Sequence, residues 1–183
     1  MNLKEQIENY IPYNEQELKD KEYFLKFIDT FEDVLTRDNL FGHFSSSAFV
    51  VNKERNKMVV VYHNINDGWI YPGGHADGEE DLLSVAVREV EEETGLITKV
   101  LENSIFSIQA NTVQPHIKRG KFVSAHVHYD VIYLLEADDR APLSFREDES
   151  KGVKWIDFKD ATNNEILDFV RPIHKKLIEK LNK

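Results

Sequence analysis

Apolar residues near the start of the chain recur at three- and four-residue steps, with Phe24, Phe27, Ile28, Phe31, Val34 and Leu35 on one stripe. That period predicts a helix over about residues 15 to 35. Asn14 and Glu17 read as a capping box at its entrance. From Ser45 the texture changes: SSSAFVV (45–51) and MVVVYH (58–63), joined by the polar NKERNK, predict a hairpin. Asn66-Asp67-Gly68 signals a turn, and Trp69-Ile70-Tyr71 a short strand ended by Pro72-Gly73-Gly74. A loop and a second helix should follow. That helix is expected to begin near Glu79, capped by Asp77, and to stop at Gly95, where a left-handed residue is wanted. Residues 97–110, 122–137 and 153–158 read as strands, and Pro172 opens a final helix through Leu177, Ile178 and Leu181. Strands and helices interleave in an α/β pattern. The expected organisation is an N-terminal helical arm over residues 1–40 ahead of a domain over 41–183.

Composition narrows the chemistry. With 183 residues, 41% of them apolar, the chain suits one globular domain with an extra arm. It lacks an apolar run that could cross a bilayer, and its first residues are too polar for a signal peptide, so cytoplasmic residence and no membrane partner are expected. Zero cysteine excludes thiolate metal sites and cysteine nucleophiles. Any metal must use oxygen or imidazole. The formal net charge of −10 opposes non-specific attraction to nucleic acid, so no stable nucleic-acid binding is expected. A polyanionic substrate would need a cation to accompany it.

The acidic surplus is local. Between Gly74 and Leu96 stand eight carboxylates and a single arginine, Arg88. At helical spacing Glu89, Glu92 and Glu93 share one face, beside an apolar stripe of Leu83, Ala86, Val87 and Val90. A solvated acidic face would read this way too, but like charges one turn apart cost about 0.2–0.5 kcal/mol per pair, and solvated helices usually intersperse lysine or arginine. Clustered carboxylate oxygens suit Mg²⁺, which binds a few carboxylates and substrate phosphates together.

The segment from Gly74 through Glu80, Arg88, Glu89, Glu92, Glu93 and Gly95 to Leu96 resembles, at every defined position, the signature of the Nudix hydrolases, G-x5-E-x7-R-E-U-x-E-E-x-G-U with U aliphatic. The resemblance extends over roughly residues 44–160. It implies a Nudix-type α/β/α sandwich with a mixed central sheet, here carrying the N-terminal helical extension. It implies metal-dependent hydrolysis of a phosphoanhydride bond in a nucleoside diphosphate linked to another moiety, with Mg²⁺ or Mn²⁺ as cofactor. Glu89, Glu92, Glu93 and the carbonyl of Gly73 are then the metal ligands, and Glu89 also orients or deprotonates the attacking water. Arg88 holds Glu89, while Gly74, Glu80 and Gly95 support the loop and helix. Glu149 is the candidate for a further base from a loop, with Glu147 and Asp148 as rivals. The alternative is a Nudix-fold ligand-binding regulator without catalysis.

Weaker constellations surround this segment. Ser124, His126, His128 and Asp130 alternate on one strand face, and the two imidazoles suit either a metal or phosphate contact or ordinary polar positions near a cleft. Lys118, Arg119 and Lys121 form a basic loop that could touch phosphate or ribose or stand solvated. Trp69 and Tyr71, alternating onto one face, could stack a base or pack in the core. The substrate stays open. An upstream coenzyme A pattern is missing, Thr112 and Gln114 replace the residues typical of ADP-ribose and dinucleoside polyphosphate members, and the absence of cysteine disfavours the isopentenyl diphosphate isomerase branch. A nucleoside triphosphate and an ADP-sugar are comparable candidates. The arm's apolar stripe should pack on the domain or on a partner subunit, which keeps a homodimer possible.

Overall fold

The computed structural model describes residues 1–64, 67–118, 120–145 and 150–183. Two helices come first, α1 (Leu3–Asn9) and α2 (Glu15–Thr30). The strands β1 (Gly42–Val51), β2 (Lys57–His63), β3 (Gly68–Ile70) and β4 (Gly73–His75) lead into α3 (Leu82–Thr94). Then come β5 (Lys99–Val100), β6 (Ser107–Val113), β7 (His116–Lys118), β8 (Lys121–Val123), β9 (His126–Glu136), β10 (Ser150–Asp157) and α4 (Arg171–Leu181).

The main sheet runs β10-β2-β1-β9-β5, with β3 paired to β2, β4 to β1 and β6 to β9. The ladder of β1 with β9 is parallel and extends from Gly42↔Val127 to Val51↔Glu136, and this makes the sheet mixed. All ten residues of β1 are buried, as a strand covered on both faces requires. Alternation then sorts the core into two layers. Phe44, Ala48 and Val50 join Tyr129, Val131 and Tyr133 against Phe24 and Phe27 of α2 and Ala86 and Val90 of α3. Phe49 and Val51 join Ile132 and Leu134 against Ile173 and Leu177 of α4. The result is the α/β/α sandwich that the resemblance implied.

Several local expectations shift. The predicted helix over 15–35 ends at Thr30, because its last turn carries Asp29 and no basic residue to suit the dipole, and Phe31 is extended. Val34 is buried from a turn instead, and its carbonyl accepts the N–H of Phe44. The full capping box occurs at Asn2 and Glu5, before the unforeseen α1. Glu17 does not reach back to Asn14; its carboxylate enters the core. The run 97–110 is broken into β5 and β6, and the basic loop is a hairpin, β7 with β8, whose turn uses Gly120 at φ +77.

The arm shares the core of the sheet. The Phe27 ring stacks on Tyr129 at 4.1 Å, and Phe24 meets Phe44 edge-on at 5.4 Å. Glu17, wholly buried, accepts from the Tyr10 hydroxyl at 2.5 Å, the Tyr13 N–H at 2.7 Å and the Ser107 hydroxyl at 2.6 Å, and pairs with Lys176 of α4 at 3.1 Å. Arm, sheet and last helix thus meet at one carboxylate.

His174, also in α4, is fully buried and donates from Nδ1 to the Ala161 carbonyl at 2.9 Å. Burial holds its pKa down to about 4. An unfolded chain, with an ordinary histidine near 6.5, binds the extra proton between these values, so the contribution is present above pH 6.5 and is lost as pH falls toward 4. His174→Leu should therefore destabilise by about 1–3 kcal/mol at pH 7.5, through the orphaned carbonyl. The gap should narrow by about 1–2 kcal/mol at pH 5. Urea melts of both proteins at the two pH values check this; an unchanged gap would refute it.

Candidate active site

The acidic helix is set by short-range chemistry at both ends. Asp81 caps α3, its carboxylate accepting from the Ser84 N–H at 3.2 Å and the Ser84 hydroxyl at 2.7 Å. Gly95 ends it in the left-handed region at φ 71, and its N–H reaches the Glu91 carbonyl at 2.9 Å. Leu82, Val85, Ala86 and Val90 are buried, and the Ser46 hydroxyl donates to the Leu82 carbonyl at 2.5 Å. With that side locked to the sheet, Glu89, Glu92 and Glu93 share the side left to other contacts.

Asp77 is not the cap. It has φ +48 and forms a two-pronged pair with Arg37, whose Nε lies 2.6 Å from Oδ1 and whose second nitrogen reaches Oδ2. Gly78, at φ +91, donates to the Leu35 carbonyl at 2.9 Å, and Ala76 to that of Phe44 at 3.1 Å. The segment after α2 thereby clasps the loop before α3. Sequence reasoning missed Arg37, because no local pattern joins residues 37 and 77.

Two glycines bring strand and helix together. The Gly73 N–H donates to Glu93 Oε2 at 3.0 Å. At Gly74 the Glu89 carboxylate occupies the space that a Cβ would fill, so only glycine allows this approach. Arg88 lies 3.3 Å from Glu79, 3.8 Å from Glu89 and 4.0 Å from Glu92. Its nearest acid is thus Glu79 rather than the expected Glu89, and the Glu80 side chain is exposed. The donor type, carboxylate oxygen on a rigid element, fits Mg²⁺ or Mn²⁺, but among the described residues the side chains that already converge as a three-ligand group are three histidines, not these glutamates.

Behind β4 lies a buried polar cluster. Asp130 accepts from Ser45 at 2.9 Å, Ser47 at 2.8 Å and Tyr71 at 3.1 Å. Burial pushes its carboxyl up to about 6 against the pull of these hydrogen bonds. Tyr71, 4% exposed, gives its ring to the core rather than to a base. Trp69 sits half-buried at the edge of the same core layer, where it packs edge-on against Tyr62 at 5.2 Å, under Lys154 at 4.2 Å. His126 and His128 approach to 3.2 Å and meet two imidazoles that the sequence did not single out, His43 and His75. Burial, with His126 adding, pushes His43 down to about 4. Lys121 is exposed on β8. Arg119 and Glu149, with the rivals Glu147 and Asp148, lie outside the described residues, as does the Lys118 side chain.

A family model described as the NUDIX domain matches residues 43–181, reaching further toward the C-terminus than the sequence pattern alone suggested. An RNA pyrophosphohydrolase of Pelagibacter ubique is 29% identical over 146 residues, which cover 72% of this chain and 86% of that protein. The human protein named nucleoside diphosphate-linked moiety X motif 6 is 30% identical over 63% of this chain but only 34% of its own length. A crystal structure of a hydrolase of the NUDIX family from Clostridium perfringens aligns with TM-score 0.54 at 21% identity, over 76% of this chain and 97% of that one, a likeness of fold. Among the described residues no helix is long and apolar enough to cross a membrane.

Proposed function

The chain belongs to the Nudix family of pyrophosphohydrolases, and on that premise we propose that it cleaves the phosphoanhydride bond of a nucleoside diphosphate linked to another moiety, with Mg²⁺ or Mn²⁺. The observation that carries this reading is the carboxylate face of α3, on which Glu93 meets the Gly73 N–H and Glu89 fills the space at Gly74. Glu89, Glu92, Glu93 and the Gly73 carbonyl would hold the ion, which when bound supplies positive charge to the phosphate oxygens and acidifies water. Glu89 takes the proton from the attacking water. Glu93 is fixed by the Gly73 N–H, and Arg88 acts as a positioning residue between Glu79, Glu89 and Glu92. Residues 1–40 serve as a brace for the 41–183 domain, through Arg37 on the loop and Glu17 in the core.

The net charge of −10 favours a small nucleotide, neutralised by its ion, over a long polyanion. A panel of nucleoside triphosphates, nucleotide sugars, dinucleoside polyphosphates and 5′-triphosphorylated RNA, each with Mg²⁺ or with chelator, should show Mg²⁺-dependent cleavage of a small member and slower cleavage of RNA. Cleavage that ignores the chelator would overturn the metal role. No cleavage of any member would favour a binding protein without catalysis.

Millimolar Mg²⁺ should also raise the melting temperature by binding only the folded chain. The shift should shrink in Glu92→Gln or Glu93→Gln, as read by thermal melts with and without the ion. Equal shifts in all three proteins would remove the carboxylates from the ion's site.

A further inference from the structure

Four imidazoles converge where β1, β4 and β9 run side by side. His43 on β1 is in register with His128 on β9, and His75 on β4 lies opposite Ser45, two residues along β1. The His43 ring centroid is 5.1 Å from that of His75, 4.8 Å from His128 and 5.0 Å from His126. One ring nitrogen from each of His43, His75 and His128 lies within 4.8 Å of the others. A second, independent observation concerns His43 itself. It is 4% exposed, and neither of its ring nitrogens makes a hydrogen bond of good geometry among the described residues, the Asn39 backbone being only a weak polar neighbour. A native fold rarely leaves a buried polar side chain so unsatisfied without a ligand for it.

We propose that His43, His75 and His128 bind a divalent transition metal such as Zn²⁺, Co²⁺ or Ni²⁺, at a site separate from the carboxylates of α3. Imidazole nitrogen suits these ions, whereas carboxylate oxygen suits Mg²⁺. A zinc–nitrogen bond of about 2.0–2.1 Å in tetrahedral geometry sets ligand nitrogens about 3.4 Å apart, so from separations of up to 4.8 Å the rings need to close by about 1.4 Å at most. His126 stands at their edge, its Nε2 hydrogen-bonded with His128 Nε2 at 3.2 Å. The Ser124 carbonyl, 2.8 Å from its Nδ1, selects the tautomer protonated there and leaves the Nε2 lone pair facing His128. The two sets of ligands are divided by the strand pleat. Gly74 meets Glu89, so the next residue, His75, turns to the other face of β4, the side of the sheet that Asp130 and α4 share. The site therefore stands independently of the roles given to Glu89, Glu92 and Glu93.

The test is titration of the full chain with Zn²⁺, followed by calorimetry in saturating Mg²⁺, and with Co²⁺, followed by its visible absorption. The wild type should take up one Zn²⁺ at micromolar affinity or better and give the intense visible bands of a low-symmetry nitrogen site with Co²⁺. The double variant Glu92→Gln/Glu93→Gln should do the same. His75→Asn and His128→Asn, at partly exposed positions that spare the core, should each weaken uptake at least about tenfold while keeping the wild-type circular dichroism. No Zn²⁺ uptake in Mg²⁺, loss of uptake in the glutamate variant, or unchanged uptake in both histidine variants would each overturn the site.

Discussion

Glu89→Gln is expected to lower kcat by at least about 100-fold, with a smaller change in KM, on whichever diphosphate the panel identifies. The substitution keeps the volume that fits against Gly74 and keeps hydrogen-bonding reach, but removes basicity and one negative charge. An interaction made only as the water is deprotonated shows in kcat rather than in KM. Arg88→Ala should lose less, because its three contacts at 3.3–4.0 Å orient acids without replacing them. Steady-state rates at saturating Mg²⁺ decide this. A near-wild-type kcat in Glu89→Gln would move the base to a loop acid such as Glu149.

The largest loss of stability should come from Glu17→Ala, about 3–5 kcal/mol, the range for removing one partner of a buried pair. Glu17 is wholly buried, and Lys176 is nearly so. Burial would raise the Glu17 carboxyl, but the Lys176 charge and the hydrogen bonds from Ser107, Tyr10 and Tyr13 hold it below its ordinary 4.5. Its depressed pKa means that its contribution is present above pH 4.5 and disappears as pH falls through the folded value, below 4.5. Alanine would leave the Lys176 ammonium among Gln16, Gln109 and the Ile108 carbonyl, with no ion-pair partner in contact among the described residues and only the more distant charges of Asp20 and Asp130. Because domains are typically stable by only about 5–15 kcal/mol, much of the fold's margin rests on this one group. Glu17→Leu with Lys176→Met should recover most of the loss, since a buried pair replaced by apolar groups is often neutral. Urea unfolding of the three proteins is the measurement, and a loss under about 1 kcal/mol in Glu17→Ala would refute the role.

Much of the fold was legible where neighbours in sequence decide it. The β1–β2 hairpin, the left-handed stop at Gly95 and the Pro172 start of α4 follow from contacts within a few residues. The shared face of Glu89, Glu92 and Glu93 is a consequence of helical pitch alone, and the signature around it sufficed to place the chain in its family. Boundaries were less legible. Asp77 and Asp81 are both good helix caps by type, and the choice fell to Asp81 because Arg37, 40 residues away from Asp77, claims the other carboxylate.

By itself, then, the sequence determined the periodic elements, the absence of thiol chemistry and the acidic face of α3, because each depends on residue type and spacing within a few turns. Only the tertiary structure decided which distant groups meet. Lys176 reaches Gln16 across 160 positions, Ser45 bonds Asp130 across 85, and the parallel β1–β9 ladder sets His43 beside His128. A one-residue slip of that ladder would turn one of the two rings to the opposite face, yet nothing near either histidine encodes the register. It is set by the packing of two core layers at once, Phe44 with Tyr129 on one side and Phe49 with Ile132 on the other. Such non-local packing has no local sequence signal, and it is what turns two ordinary strand histidines into part of a four-imidazole cluster.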